Sequence, residues 1–153
     1  MPLEEDLRQK IQEMKVANKI LSPVVVNNVV YRNCKRCSYE RRLELFSQAT
    51  FLAKGGLLLD ECCNSGINSF ILGSLYPKLQ IIGIDISADA IDVANLSKAI
   101  QPINALFYVQ DMLQPQDYSK YDYILNCGIS NSLKHFETHL DRYRQFGFSG
   151  QVL

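Results

Sequence analysis

Asp60, Asp85 and Asp111 each stand at or just after the end of a short apolar run, and that spacing is the clearest chemical signal in the chain. The runs are residues 57–60, 80–85 and 105–109; a fourth, 121–125, is followed by Asn126, Cys127 and Gly128. Each run is too short for a helix, whereas 67–76, 88–100 and 133–146 are helical in composition. Strands alternating with helices imply right-handed crossovers and a parallel sheet. Leu57-Leu58-Leu59 and Ile81-Ile82 suit strands covered on both faces. In such a sheet ligands bind beyond the carboxyl ends of the strands, near the point where strand order reverses. The residues to weigh are therefore Asp60, Glu61, Cys62, Cys63, Asn64, Ser65 and Gly66 after the first run, then Asp85, Asp111 and Asn126. One aspartate at a strand end commonly caps the next helix. Three at consecutive strand ends are more than capping demands.

With those residues in place, segment 57–133 resembles the core of class I S-adenosyl-L-methionine (AdoMet)-dependent methyltransferases. Leu-Leu-Leu-Asp-Glu-Cys-Cys-Asn-Ser-Gly (57–66) is similar to their first motif, a strand ending in Asp and a glycine-rich turn. Ile-Gly-Ile-Asp-Ile-Ser (82–87), Gln-Asp-Met (110–112) and Tyr-Asp-Tyr-Ile-Leu-Asn-Cys-Gly (121–128) resemble the second, third and fourth, in the family's order. The resemblance implies an AdoMet site. Asp85 would accept hydrogen bonds from both ribose hydroxyls, and Asp111 from the adenine amino group, with Ile86 and Met112 on either side of the ring. Backbone from Glu61 through Cys62 and Asn64 to Gly66 would approach the methionine moiety. Asp60 would orient its ammonium through water, and the Asn126 carbonyl would complete that end.

The first motif departs from the family at two positions. Cys62 and Asn64 stand where its glycines fall, and Gly66 alone is kept; the cysteine matches a family variant, Asp-x-Cys-Cys-Gly. Asparagine tolerates positive φ better than other side chains, so the turn can still form. A nicotinamide dinucleotide fits worse. Its fingerprint wants G-x-G-x-x-G, and Asp60 would repel a pyrophosphate.

No catalytic acid or base stands out. Asn126-Cys127-Gly128-Ile129 replaces the Asn-Pro-Pro-Tyr of amino-methylating members, which argues against a DNA-adenine or glutamine-type methylase. Asn131 occupies a position where small-molecule methylases often carry histidine. The expected acceptor is therefore a small molecule; the alternative is an inactive remnant or partner-binding module that keeps the fold. His135 and His139 have a metal-capable i, i+4 spacing but no third ligand, so they read as a solvated helix face, with no metal expected.

Leu3, Leu7, Ile11 and Met14 recur at helical spacing, with acids first and lysines later, and Pro23 ends the pattern. Residues 24–31 read as an extended or irregular connector, and 39–53 as a second helix stopped by Gly55-Gly56. This divides the chain into a helical segment, 1–54, and a partial AdoMet-binding core, 55–153. The fold class is α/β, a three-layer Rossmann-like parallel sheet with amino-terminal helices. It is truncated to strands one to four plus the start of a fifth at Gln151-Val152-Leu153. The fourth strand, with one charge and no proline, then offers an open edge to a homodimer or a completing partner chain.

Among 153 residues, 16 basic and 16 acidic side chains cancel, so charge points to neither nucleic acid nor membrane. Arg32, Lys35, Arg36, Arg41 and Arg42 are interrupted by Glu40 and followed by Glu44, the pattern of a solvated face. No apolar run approaches a membrane span, and the first residues are acidic, unlike a signal peptide. Five cysteines, including an isolated Cys34-x-x-Cys37, suit reduced thiols in a cytoplasm.

Overall fold

The computed structural model describes residues 2–19, 21–32, 39–126 and 133–153. Cys34, Lys35, Arg36, Cys37, Cys127, Gly128 and Asn131, and the expectations attached to them, lie outside the described residues.

The core is a five-stranded, wholly parallel sheet of β3 (Gly56–Glu61), β4 (Leu79–Asp85), β5 (Ala105–Val109), β6 (Tyr123–Leu125) and β7 (Gln151–Val152). Its order is β5-β4-β3-β6-β7, so strand order reverses between β3 and β6. Crossovers run through α3 (Ile67–Leu75), α4 (Ala88–Ile100) and α5 (Leu133–Gln145). Successive strand side chains point to opposite faces. Leu58, Ile81, Ala105, Phe107 and Tyr123 therefore pack under α3 and α4, while Leu59, Ile84 and Ile124 pack with Tyr118, Tyr143 and Phe148 on the α5 side.

The amino-terminal segment adds a further layer. Helix α1 (Pro2–Val16) buries Leu7, Ile11 and Met14 against Ala90 and Val93 of α4. It does not run on to Pro23. Asn18 takes φ 55°, and the amides of Asn18 and Lys19 donate to the carbonyls of Lys15 and Met14, closing the helix end. The expected connector is a hairpin, β1 (Val24–Val26) and β2 (Val29–Arg32). Asn27 (φ 50°) and Asn28 (φ 64°) supply the two left-handed positions that such a turn requires. The second helix stops early: α2 (Tyr39–Ser47) gives way to a 3₁₀ turn, Thr50–Lys54.

The fourth strand is not bare. Gln151 and Val152 pair with Tyr123 and Ile124, and all of β6 is buried. Phe51 of the 3₁₀ turn packs 5.8 Å from the Tyr123 ring on one face, and Leu125 and Ile124 each join a core cluster. The expected open edge on β6 is thus filled by the segment read as the start of a fifth strand.

Candidate functional site

The turn after β3 is built from left-handed backbone. Cys62 (φ 58°), Asn64 (φ 51°) and Gly66 (φ 90°) all lie in the region that favours glycine. Asn64 holds its conformation with its own side chain: Oδ1 accepts from the amides of Ser65 (2.8 Å) and Ser22 (2.9 Å). Its carboxamide therefore ties the turn to the segment between α1 and the hairpin, which the sequence did not foretell. Ser22 Oγ and Ser65 Oγ, 2.6 Å apart, form a second tie. Gly66 also permits close packing, since a Cβ there would meet the rings of Phe107 and Phe70 at 3.1–3.2 Å.

The sheet register brings the strand-end residues side by side. Asp60 lies opposite Gly83 on β4 and Leu125 on β6, and Asp85 lies opposite Val109. Asp85 sits against the turn: Oδ2 accepts from Asn64 N (2.8 Å) and Oδ1 from Ser87 N (2.9 Å). Each oxygen keeps a second lone pair for a ligand hydroxyl. Asp111 Oδ1 accepts from Leu113 N (2.9 Å), leaving the other oxygen for a donor. Cys62 Sγ lies 3.0 Å from Met112 Sδ, so the first and third loops touch. Ile86 is 72% exposed beside Asp85.

Asp60 is buried and accepts a 2.6 Å bond from Ser69 Oγ of α3. Burial pushes its carboxyl up to about 7, although the Ser69 bond and the Arg42 charge pull the other way. Arg42 accordingly departs from the expected solvated face: Nη1 donates to Asn68 Oδ1, turning inward onto α3.

The Glu61 side chain leaves the ligand side of the sheet. As the neighbour of Asp60 in a strand it points to the opposite face, fully buried, where Arg142 Nη2 donates to Oε1 at 2.6 Å. Tyr143 (2.8 Å) and Tyr118 (3.1 Å) donate their hydroxyls to the same carboxylate. It is thus neutralised rather than a stray charge beside a ligand. Arg142 Nη1 also donates to the Met112 carbonyl (2.7 Å) and to the Tyr118 hydroxyl. Tyr143 Oη accepts from Asn126 Nδ2 (2.9 Å).

The network extends to the histidine pair. His139 is buried, not solvated, and its Nδ1 lies 3.2 Å from Arg142 Nη2. A guanidinium only donates, so Nδ1 is bare and Nε2–H donates to His135 Nε2, 3.2 Å away. Burial, then the Arg142 charge, lowers the His139 pKa and keeps it neutral. Tyr118, Arg142 and Tyr143 were missed from sequence, and His139 was misread as solvated. The available signal was a glutamate at a buried strand end, which requires a buried cation.

Among the described residues no cluster of three or more metal-ligating side chains occurs, and no helix is long and apolar enough to cross a membrane. The arrangement suits a ligand with hydroxyls and positive charge: acids at three adjacent strand ends around a tight turn.

Residues 52–147 match a family described as Methyltransferase domain. A 62-residue stretch is 40% identical to a release factor glutamine methyltransferase of Thermodesulfovibrio yellowstonii, covering 40% of this chain and 22% of that protein. The chain thus spans about a fifth of the curated relative. The N-terminal domain of EvdMO1, solved in the presence of SAH and D-fucose, superposes with TM-score 0.59 at 14% identity, over 82% of this chain and 52% of that one. The Pyrococcus abyssi tRNA (uracil-54, C5)-methyltransferase in complex with S-adenosyl-L-homocysteine gives 0.52 at 17%, over 70% and 28%. These likenesses show the fold.

Proposed function

We propose, from the premise that the chain belongs to the Methyltransferase domain family, that it binds AdoMet beyond the carboxyl ends of β3, β4, β5 and β6 and serves methyl transfer to a small molecule. The observation that carries this reading is the row of Asp60, Asp85 and Asp111 beside a turn whose Cys62 and Asn64 adopt glycine-like φ. When bound, AdoMet supplies an electrophilic methyl group on a sulfonium. The donor set fits that group: carboxylates complement its ammonium and sulfonium, whereas they would repel a phosphate-bearing cofactor.

Asp85 takes the ribose hydroxyls on the lone pairs left by Asn64 N and Ser87 N. Asp111 takes the adenine amino group, with Ile86 and Met112 beside the ring. Asp60 orients the ammonium through water, Glu61 to Gly66 present backbone to the methionine moiety, and the Asn126 carbonyl closes that end. Glu61 joins this set through its backbone alone, because its carboxylate is committed to Arg142. No general base is assigned.

A small acceptor is favoured because Asn126-Cys127-Gly128-Ile129 lacks the Asn-Pro-Pro-Tyr of amino-methylating members. The glutamine methyltransferase similarity covers only 62 residues. The balanced charge suits a cytoplasmic protein working on neither nucleic acid nor membrane.

Calorimetric titration with AdoMet and with S-adenosyl-L-homocysteine tests the binding, and a radiolabelled-methyl assay over small acceptors tests the chemistry. Saturable 1:1 binding of both ligands is expected. A chain that binds neither would instead be a partner-binding module that keeps the fold.

A further inference from the structure

One buried carboxylate reaches three of the four loops that border the site. Glu61 immediately precedes the β3 turn. Through Tyr143 it is connected to Asn126, at the end of β6: the hydroxyl donates to Glu61 Oε1 and accepts from Asn126 Nδ2. Through Arg142 it is connected to the loop after β5, where Nη1 holds the Met112 carbonyl. Tyr118 closes the set with a bond to Glu61 Oε2 and a ring lying under the guanidinium.

Packing alone does not call for such a group. The cluster around it is apolar and aromatic, and an apolar residue of similar volume would fill the space without burying two charges. What a carboxylate and a guanidinium add is direction. Their hydrogen bonds help set the rotation of the Asn126 carboxamide and, together with the Leu113 N–H bond to Asp111 Oδ1, the plane of the Met112–Leu113 peptide. Arg142 has the planar fork needed to serve Glu61 and the Met112 carbonyl at once, and a lysine does not.

We infer that Glu61 and Arg142, with Tyr143, are positioning residues that fix the two ends of the ligand cleft without touching the ligand: Asn126 at the methionine end and Met112 at the adenine end. This rests on the AdoMet reading above for which end is which. Arg142→Lys removes the fork but keeps a cation, and Tyr143→Phe removes a single hydroxyl from a ring that stays buried. Each variant therefore removes the tie between Glu61 and one loop.

Two measurements test it. In the ligand-free protein, amide NMR should show the Asn126 side-chain signals shifted in Tyr143→Phe with Leu113 N–H unmoved, and Leu113 N–H shifted in Arg142→Lys. In titrations, Tyr143→Phe should weaken S-adenosyl-L-homocysteine about fivefold or more while leaving adenosine within about twofold. Arg142→Lys should weaken both. A purely structural pair would give equal losses for both ligands in both variants, or none, and that result overturns the inference. So do Asn126 signals that ignore Tyr143→Phe. A wild-type chain that binds no S-adenosyl-L-homocysteine refutes the AdoMet reading instead, and the NMR arm then still decides whether the loops are held this way.

Discussion

Asp60 offers a pH test of the site, because its carboxyl sits at about 7 in the ligand-free protein, raised by burial. About one tenth of the molecules then carry an ionised Asp60 at pH 6 and half do so at pH 7. If the carboxylate receives the ligand's ammonium, only the ionised fraction binds well, and affinity should fall about fivefold from pH 7 to pH 6. Binding at pH 6 should release close to one proton per ligand. On the alkaline side affinity should fall again once the ligand's own amino group loses its proton, so it should peak between the two titrations. Calorimetry with S-adenosyl-L-homocysteine in buffers of different ionisation enthalpy counts the protons directly. Asp60→Asn, which keeps shape and an acceptor for Ser69 Oγ, should bind more weakly at pH 7 and lose the acid limb. An affinity that is flat from pH 6 to 7, or an acid limb that survives Asp60→Asn, would refute the assignment of the ammonium to Asp60. The same group predicts a stability effect. Its folded value lies above the ordinary 3.8, so its contribution is intact below about pH 4 and is lost as pH rises through 7. Asp60→Asn should therefore raise Tm relative to wild type at pH 8 and change it little at pH 4.

Asp85→Ala should lower AdoMet affinity about ten- to a hundredfold, the loss of a charge-assisted acceptor, while unfolding stays cooperative; unchanged affinity in calorimetry would remove Asp85 from the site. Asn64→Gly relieves a left-handed asparagine but breaks its bonds to Ser22 N and Ser65 N, so it should speed hydrogen exchange at Ser22 and tryptic cleavage at Lys19. Protection equal to wild type would show that the carboxamide does not hold the segment. Leu7→Ala empties a fully buried position between α1 and α4 and should cost about 2–5 kcal/mol in denaturant melts; a cost under about 1 kcal/mol would mean that α1 is not part of the cooperative unit. Lys10 and Lys19, which pair with Asp89 near the surface, should contribute far less, and that contribution should shrink with salt.

Much of this fold was legible because it rests on period and punctuation. The β5 and α4 boundaries follow directly from apolar run length and helical composition, and the order of strands and helices implies the parallel sheet. What was not legible depended on side chains that replace glycine. Asn18, Asn27 and Asn28 all take positive φ, so a helix end and a hairpin were hidden behind residues that need not do so. The Asn18 cap moved the end of α1 ahead of Pro23. The strap contact of Asn64 with Ser22 spans 42 positions, a separation no local pattern encodes.

The two adjacent acids, Asp60 and Glu61, carry the sharper lesson. Both follow the same apolar run, and proximity in sequence suggests that both serve the site. A strand forbids it, because consecutive side chains leave by opposite faces. Leu58 packs under α3, so Asp60 must share that face, and Glu61 must enter the layer that holds Leu59 and α5. A buried glutamate there needs a cation from α5. Arg142 lies three positions after buried His139, on the same helix face, and reaches inward, whereas Arg144 lies five after it and is exposed. Helix phase thus selects Arg142 over Arg144, strand phase selects Asp60 over Glu61 for the ligand, and the displaced acid becomes the group through which Asn126 and Met112 are held.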